Sequence, residues 1–138
     1  MTALTSDRNT PRAEGDVQSY PVLAATKIFA GGIVVLDAAG FARPGHTATG
    51  LIAAGRAEER IDNSAGANGD SNVKVRSGAF RYANSAAGDE ITIAEIGDDC
   101  YLVDDQTVAK TDGTGTRSVA GKIVQVDAQG VWVNLGIA

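Results

Sequence analysis

Five aspartates in the last third of the chain, Asp98, Asp99, Asp104, Asp105 and Asp112, are the first residues whose type invites chemistry. Paired carboxylates bind hard cations or push each other's pKa values apart. The spacing here argues against both uses. Adjacent aspartates on a strand face opposite sides of it, and the run does not match the alternating Asp/Asn loop with a distal Glu that grips calcium. Solvated carboxylates at turns and strand ends are therefore expected, with calcium at Asp112-Gly113-Thr114-Gly115-Thr116 as the alternative.

Gly113-Thr114-Gly115-Thr116-Arg117-Ser118 spaces its glycines like a phosphate-cradling loop, but residues 119–124 read as a strand, where a helix N-terminus would have to hold the anion. A flexible hairpin or a lid over a subunit seam fits better. His46 is the single histidine and lies in the loop Arg43-Pro44-Gly45-His46-Thr47. Without a fixed acid nearby or a Gly-x-Ser-x-Gly elbow it has no triad to join. The single cysteine, Cys100, has no partner for a disulfide and no neighbouring ligand for zinc, so a small buried hydrophobe is expected. No catalytic residue, no metal ligand set and no cofactor-binding set emerges, and a non-enzyme is expected.

The elements that must position any site are short strands. A chain of 138 residues has the length of one domain, and its glycine content stands well above the usual share of about 7%. Seventeen acidic against twelve basic residues leave a net charge of −5, which disfavours nucleic acid as a partner. No stretch approaches the roughly 18 to 20 apolar residues that span a bilayer, and the N-terminus has no apolar leader core, so a soluble product made in the cytoplasm is expected.

Residues 1 to about 19 are polar and aperiodic and read as a mobile arm. Tyr20-Pro21-Val22-Leu23 reads either as an adhesive strand that pairs at a sheet edge or as entry into the first core strand. Gly31-Gly32 between Lys27-Ile28-Phe29-Ala30 and Ile33-Val34-Val35-Leu36 predicts a hairpin. Asp37-Ala38-Ala39-Gly40 predicts a turn, residues 48–55 a small-residue strand buried on both faces, and residues 56–62 a charged edge strand. After the loop 63–72, Val73-Lys74-Val75-Arg76 and Phe80-Arg81-Tyr82 alternate on either side of Ser77-Gly78, where a bulge is expected to re-aim the strand without ending it. Ile91-Thr92-Ile93-Ala94 and Cys100-Tyr101-Leu102-Val103 read as short strands, although residues 90–96 also allow one helical turn. Lys122–Val126 and Val131–Leu135 flank the turn Asp127-Ala128-Gln129-Gly130 in the clearest hairpin of the chain. Trp132 alternates with Val131 and Val133, and core and subunit interface are both open to it. The fold class expected is mainly β, a compact antiparallel barrel or sandwich.

The polar arm, Tyr20 to Leu23, the Ile33-Val34-Val35-Leu36-Asp37 strand, Gly50-Leu51-Ile52-Ala53 and Ser77-Gly78-Ala79-Phe80-Arg81-Tyr82 together resemble the decoration, or cement, proteins of tailed-phage capsids. The plan is similar to the head-stabilising proteins of lambda-like phages, and the longer C-terminal part looks more like the cement proteins of Mu-like phages. The resemblance implies a β-tulip-like domain over residues 24–138 behind a flexible arm over residues 1–23, assembled as a homotrimer. It implies binding of the arm, through Tyr20, Pro21, Val22 and Leu23, to the major capsid protein on the outer surface of the expanded virion shell. Neither nucleic acid nor membrane would be a partner. Two other classes stand beside it: a phage fibre-tip or receptor-binding module, and a trimeric β nucleotide hydrolase with its site between subunits.

Overall fold

The computed structural model describes residues 2–10 and 15–137. In chain order its strands are β1 (Val17–Pro21), β2 (Thr26–Ile28), β3 (Ile33–Leu36), β4 (Ala42–Pro44), β5 (Ile52–Ala57) and β6 (Ile61–Asn63). They continue as β7 (Asn72–Arg76), β8 (Gly78–Tyr82), β9 (Asp99–Leu102), β10 (Val108–Ala109), β11 (Val119–Asp127) and β12 (Gly130–Leu135). The fold is mainly β, as the turn punctuation predicts. One five-stranded sheet has the order β1-β7-β5-β3-β4, a second the order β10-β9-β11-β12-β8, and β2 pairs with β6 alone.

Alternation decides which side of each strand is buried. Val73 and Val75 of β7 are buried while Lys74 between them is exposed, and Val131, Val133 and Leu135 of β12 are buried opposite Trp132 and Asn134. β3 breaks this rule, because Ile33, Val34 and Val35 are all fully buried. Ile33 and Val35 join Leu102, Ile123 and Val133 in the core shared with the second sheet, whereas Val34 joins Val22, Val73 and Val75 in a second, smaller core. β3 is thus the strand through which two cores share one backbone.

The N-terminal boundary lies earlier than residue 24. Val17–Pro21 pairs antiparallel with β7, Tyr20 opposite Val73, and Val22 bridges to Ala42 at the far edge of the same sheet. The first sheet therefore curls until the exit of its first strand meets its last, and Val22 is fully buried at the meeting point. The domain is entered at Asp16, whose carbonyl accepts from the Ser77 N–H at 2.8 Å and whose carboxylate meets Arg76 at 2.8 Å. Of the segment expected to be a mobile arm, residues 2–10 are exposed and without regular structure, residues 17–21 form β1 with Val22 bridged to Ala42, and residues 1 and 11–14 lie outside the described residues.

Other local expectations are corrected. Gly31-Gly32 does not close a hairpin: Thr26 pairs with Asn63 and Ile28 with Ile61, while the Gly31 N–H donates to Ala57. Turn propensity is local, and the pairing of Ile28 is decided by the smaller core it enters. The small-residue strand runs over Ile52–Ala57, with Ile52 exposed, instead of residues 48–55 buried on both faces. The charged stretch 56–62 divides, Arg56-Ala57 completing β5 and Ile61-Asp62 opening β6. Ile91–Ala94 forms no strand; Ile93–Glu95 is a 3-10 turn in which Thr92 and Glu95 cap each other reciprocally, the helical alternative for this segment. The Asp37–Gly40 turn and the β11–β12 hairpin stand as read.

At Ser77-Gly78 the chain leaves the first sheet and enters the second. Gly78 has φ 152°, a conformation that side chains resist, and the expected bulge within one continuous strand is corrected: the strand ends at Arg76 and the chain passes to the other sheet. Deleting residues 1–14 should leave the thermal unfolding midpoint within a few degrees of the full chain, whereas deleting residues 1–23 removes β1 and Val22 and should abolish cooperative unfolding. Circular dichroism melts of the two truncations check this.

Candidate functional site

Two open strand edges and a groove dominate the surface. The first edge belongs to β1. The four residues expected to grip a capsid subunit are built into the chain's own sheet: Tyr20 and Pro21 lie opposite Val73 and Asn72, Tyr20 packs against the smaller core, Val22 is fully buried, and the Leu23 N–H donates to Ala42 at 3.0 Å. What β1 still offers is its outer edge, because it is the last strand of its sheet. Its start is held by a chain of charges that sequence reading missed: Asp16 to Arg76 at 2.8 Å, Arg76 to Glu58 at 2.6 Å and Glu58 to Arg56 at 2.9 Å. The Arg56 hydrogen bond, with Arg76 beside it, holds the Glu58 carboxyl below its usual range. These residues are scattered over sixty positions, so no spacing rule could have joined them.

The second edge is β8, which carries the Ser77–Tyr82 motif. Ser77 is buried at the sheet-to-sheet transfer, Gly78, Phe80 and Tyr82 face inward, and Ala79 and Arg81 face outward. The Tyr82 hydroxyl donates to the Gly31 carbonyl at 2.8 Å, and burial raises its pKa. The Arg56 guanidinium stacks 4.3 Å from the Phe80 ring centre. Across the ladder Arg81 is the register partner of Trp132 and sits 5.7 Å over its ring. Because Val131 and Val133 fill the core, Trp132 faces outward, half-buried, and its indole N–H donates to Asp127 at 3.0 Å.

Between these parts lies a groove of about 600 Å³, lined by Phe29, Ala30, Gly31 and Gly32 on one wall and by Arg81, Tyr82, Ala83, Asp105 and Gln106 on the other. The bond from Tyr82 to Gly31 ties the two walls together. Phe29 is 53% exposed, and the cations of Arg60 and Lys27 stand 5.7 Å and 5.9 Å from its ring centre. Burial, and then the charge of Asp104, raises the Asp105 carboxyl above its ordinary value. The alternation of Phe29 with buried Ile28 is the one signal in the sequence that turns this ring outward; its meeting with Arg81 and Asp105 is tertiary.

The residues first singled out for chemistry are dispersed. Asp99 pairs with Lys122 at 2.9 Å, Asp104 caps its own turn by accepting from the Gln106 N–H, Asp105 lines the groove, and Asp112 offers its carbonyl to Thr116 and Arg117. Among the described residues no group of three His, Cys, Asp or Glu side chains could hold a metal ion. His46 donates through Nδ1 to Pro44 at 3.1 Å and its backbone bridges to Asp104. The glycine-rich loop 113–118 folds back on itself, with Arg117 bonded to the Thr111 carbonyl and paired with Asp89 at 3.3 Å. No helix among the described residues is long and apolar enough to cross a membrane. Compared with protein-family models, curated proteins and solved structures, the chain finds no match.

Cys100 is fully buried, and burial pushes its thiol up from 9.0 to about 12. A nucleophile needs the opposite shift. Because the folded state keeps the proton that the unfolded state loses, stability should fall as pH rises from 9 towards 12, by about 1.4 kcal/mol per pH unit for this group. Chemical denaturation across that range should show a shallower loss for Cys100→Ala than for the parent. Ellman's reagent should reach the thiol only on unfolding.

Proposed function

We propose that the chain is a structural virion protein that binds the outer surface of an expanded tailed-phage capsid as a homotrimer and stabilises the shell against the pressure of packed DNA. The observation that carries the reading is the N-terminal layout: residues 2–10 are polar and exposed, and the chain enters at Asp16 an end strand with no strand partner on its outer side before Val22 meets Ala42. An open edge is a template for a strand from another chain, with main-chain hydrogen bonds supplying affinity. The resemblance of Ser77–Tyr82 and of the Ile33–Leu36 strand to capsid cement proteins directs that partner to the major capsid protein.

Self-association has a supporting surface of its own. Ile52 and Val119, 55% and 42% exposed, begin neighbouring strands of the two sheets, and the Ser118 hydroxyl holds those starts together by donating to Ala48 and accepting from the Leu51 N–H. Three arms on one trimer bind multivalently, so weak single contacts sum to tight attachment, and a ligand that favours the closed lattice stabilises it by mass action.

The structure changes which truncation tests this. Removing residues 1–23 would take a core strand, so the arm is removed at residue 14. Co-sedimentation with undecorated expanded shells of the cognate phage should saturate in multiples of three for the full chain and weaken sharply for the chain lacking residues 1–14. Absence of binding by the full chain overturns the reading. Sedimentation velocity should show a trimer for the parent and a smaller species for the Ile52→Asp, Val119→Asp double variant.

A further inference from the structure

The groove between the Phe29–Gly32 turn and β8 has no role in the capsid reading, and its composition is unusual for a chain of net charge −5. Arg60 and Arg81 flank it, and neither has a carboxylate within ion-pair distance among the described residues; each rests instead on an aromatic ring. Lys27, beside Arg60 on the Phe29 ring, pairs with Asp62 at 3.9 Å, both side chains exposed. Arg56, by contrast, is already engaged by Glu58. The groove thus has at its mouth two guanidiniums in no direct ion pair among the described residues, Arg60 in the field of Asp62 and Arg81 in that of Asp127.

We propose that this groove binds an extended peptide segment of a partner protein that carries an acidic side chain flanked by apolar residues, laid along the free edge of β8. Three observations carry the assignment. β8 ends its sheet, and Arg81 and Tyr82 bring its outer edge to the groove, while Ala83 just beyond is already bonded to Gln106 and Val108. An added strand has unpaired main chain to meet there and a side-chain pocket beside it. Phe29, with more than half of its surface exposed, is a rigid apolar wall for the flanking residues. The guanidiniums of Arg81 and Arg60, near Asp127 and Asp62 but in no direct ion pair among the described residues, have the planar donor fork that matches a carboxylate.

Asp105 restricts the choice further. It lines the same groove, with Asp104 next to it and Gly32 so close that a side chain there would touch the Asp105 carboxylate. A polyanion would run into this end, whereas a peptide places one carboxylate at the mouth and offers backbone N–H groups to Asp105. An isolated acidic residue on an extended backbone is therefore favoured over nucleic acid. The Tyr82 hydroxyl bond to Gly31 holds the walls at fixed separation, so the groove is formed before the ligand arrives.

The test uses the full chain and three labelled probes: an alternating Val-Glu octapeptide, an alternating Val-Lys octapeptide and a single-stranded octathymidylate. Binding is read by anisotropy of the probe and by emission of Trp132, the one tryptophan, over whose ring Arg81 lies. The Val-Glu peptide should bind saturably, and Phe29→Ala and Arg81→Ala should each weaken it by about 10-fold or more. Arg60→Ala should act in the same direction. All three side chains are on the surface, and unchanged melting of the variants establishes that the loss belongs to the groove. Equal binding of the basic peptide, preference for the oligonucleotide, binding untouched by Phe29→Ala and Arg81→Ala, or no binding of the acidic peptide at about 1 mM would each overturn the proposal. None of these results depends on capsid attachment, so the groove and the shell-binding reading stand or fall separately.

Discussion

The full burial of β3 on both faces is the constraint on which the rest of the molecule depends. Ile33 and Val35 face the second sheet and Val34 faces the smaller core, so a single backbone carries two apolar layers and can have no polar side. Such a strand must sit inside its sheet, and it does, between β5 and β4. The smaller core then needs a cover, which is supplied by curling the sheet until Val22, leaving β1, meets Ala42 on β4. Each of these elements buries too little alone; together they exclude water from eight contiguous apolar side chains.

The transfer at Ser77-Gly78 makes the two sheets one unit. β7 ends in the first sheet and β8 begins at the edge of the second with a single residue between them. This places Phe80 under the Arg56 guanidinium of the first sheet and aims the Tyr82 hydroxyl at Gly31. A close backbone approach also fixes the centre of the second sheet, because a side chain at Gly121 would overlap the Asn134 carbonyl. The groove beside β8 is a by-product of this transfer: an edge strand and a turn from opposite sheets are brought face to face and tied by one hydrogen bond.

Electrostatics separates the charges held in direct ion pairs from those outside them. Asp16, Arg76, Glu58 and Arg56 form a continuous series that neutralises itself and anchors the entry of β1. Arg60 and Arg81 stack on aromatic rings and, with Asp62 and Asp127 nearby, make no direct ion pair among the described residues. In an acidic protein, guanidiniums outside direct ion pairs beside an exposed phenylalanine are a local inversion of the general surface character, and a local inversion is what selective recognition of an acidic segment requires.

The fold class, the Asp37–Gly40 turn, the β11–β12 hairpin and the alternation of β7 were legible because each is set by neighbours within a few residues, through side-chain period and turn chemistry; at Gly78 the sequence showed an unusual backbone but not that the strand ends there. The burial of Cys100 followed from its lack of any chemical partner. The pairing of β2 with β6 and the meeting of Phe29, Arg81 and Asp105 were not legible, and of the two readings left open for Tyr20 to Leu23 and for Trp132 only the fold chose entry into the first core strand and an outward face. They depend on which apolar faces find each other across long stretches of chain, and a one-residue change of register would exchange inside for outside. Local residue order determined the fold class and the punctuation of its clearest turns and strands; only the closing of two cores around β3 decided how the strands pair and which edges face outward.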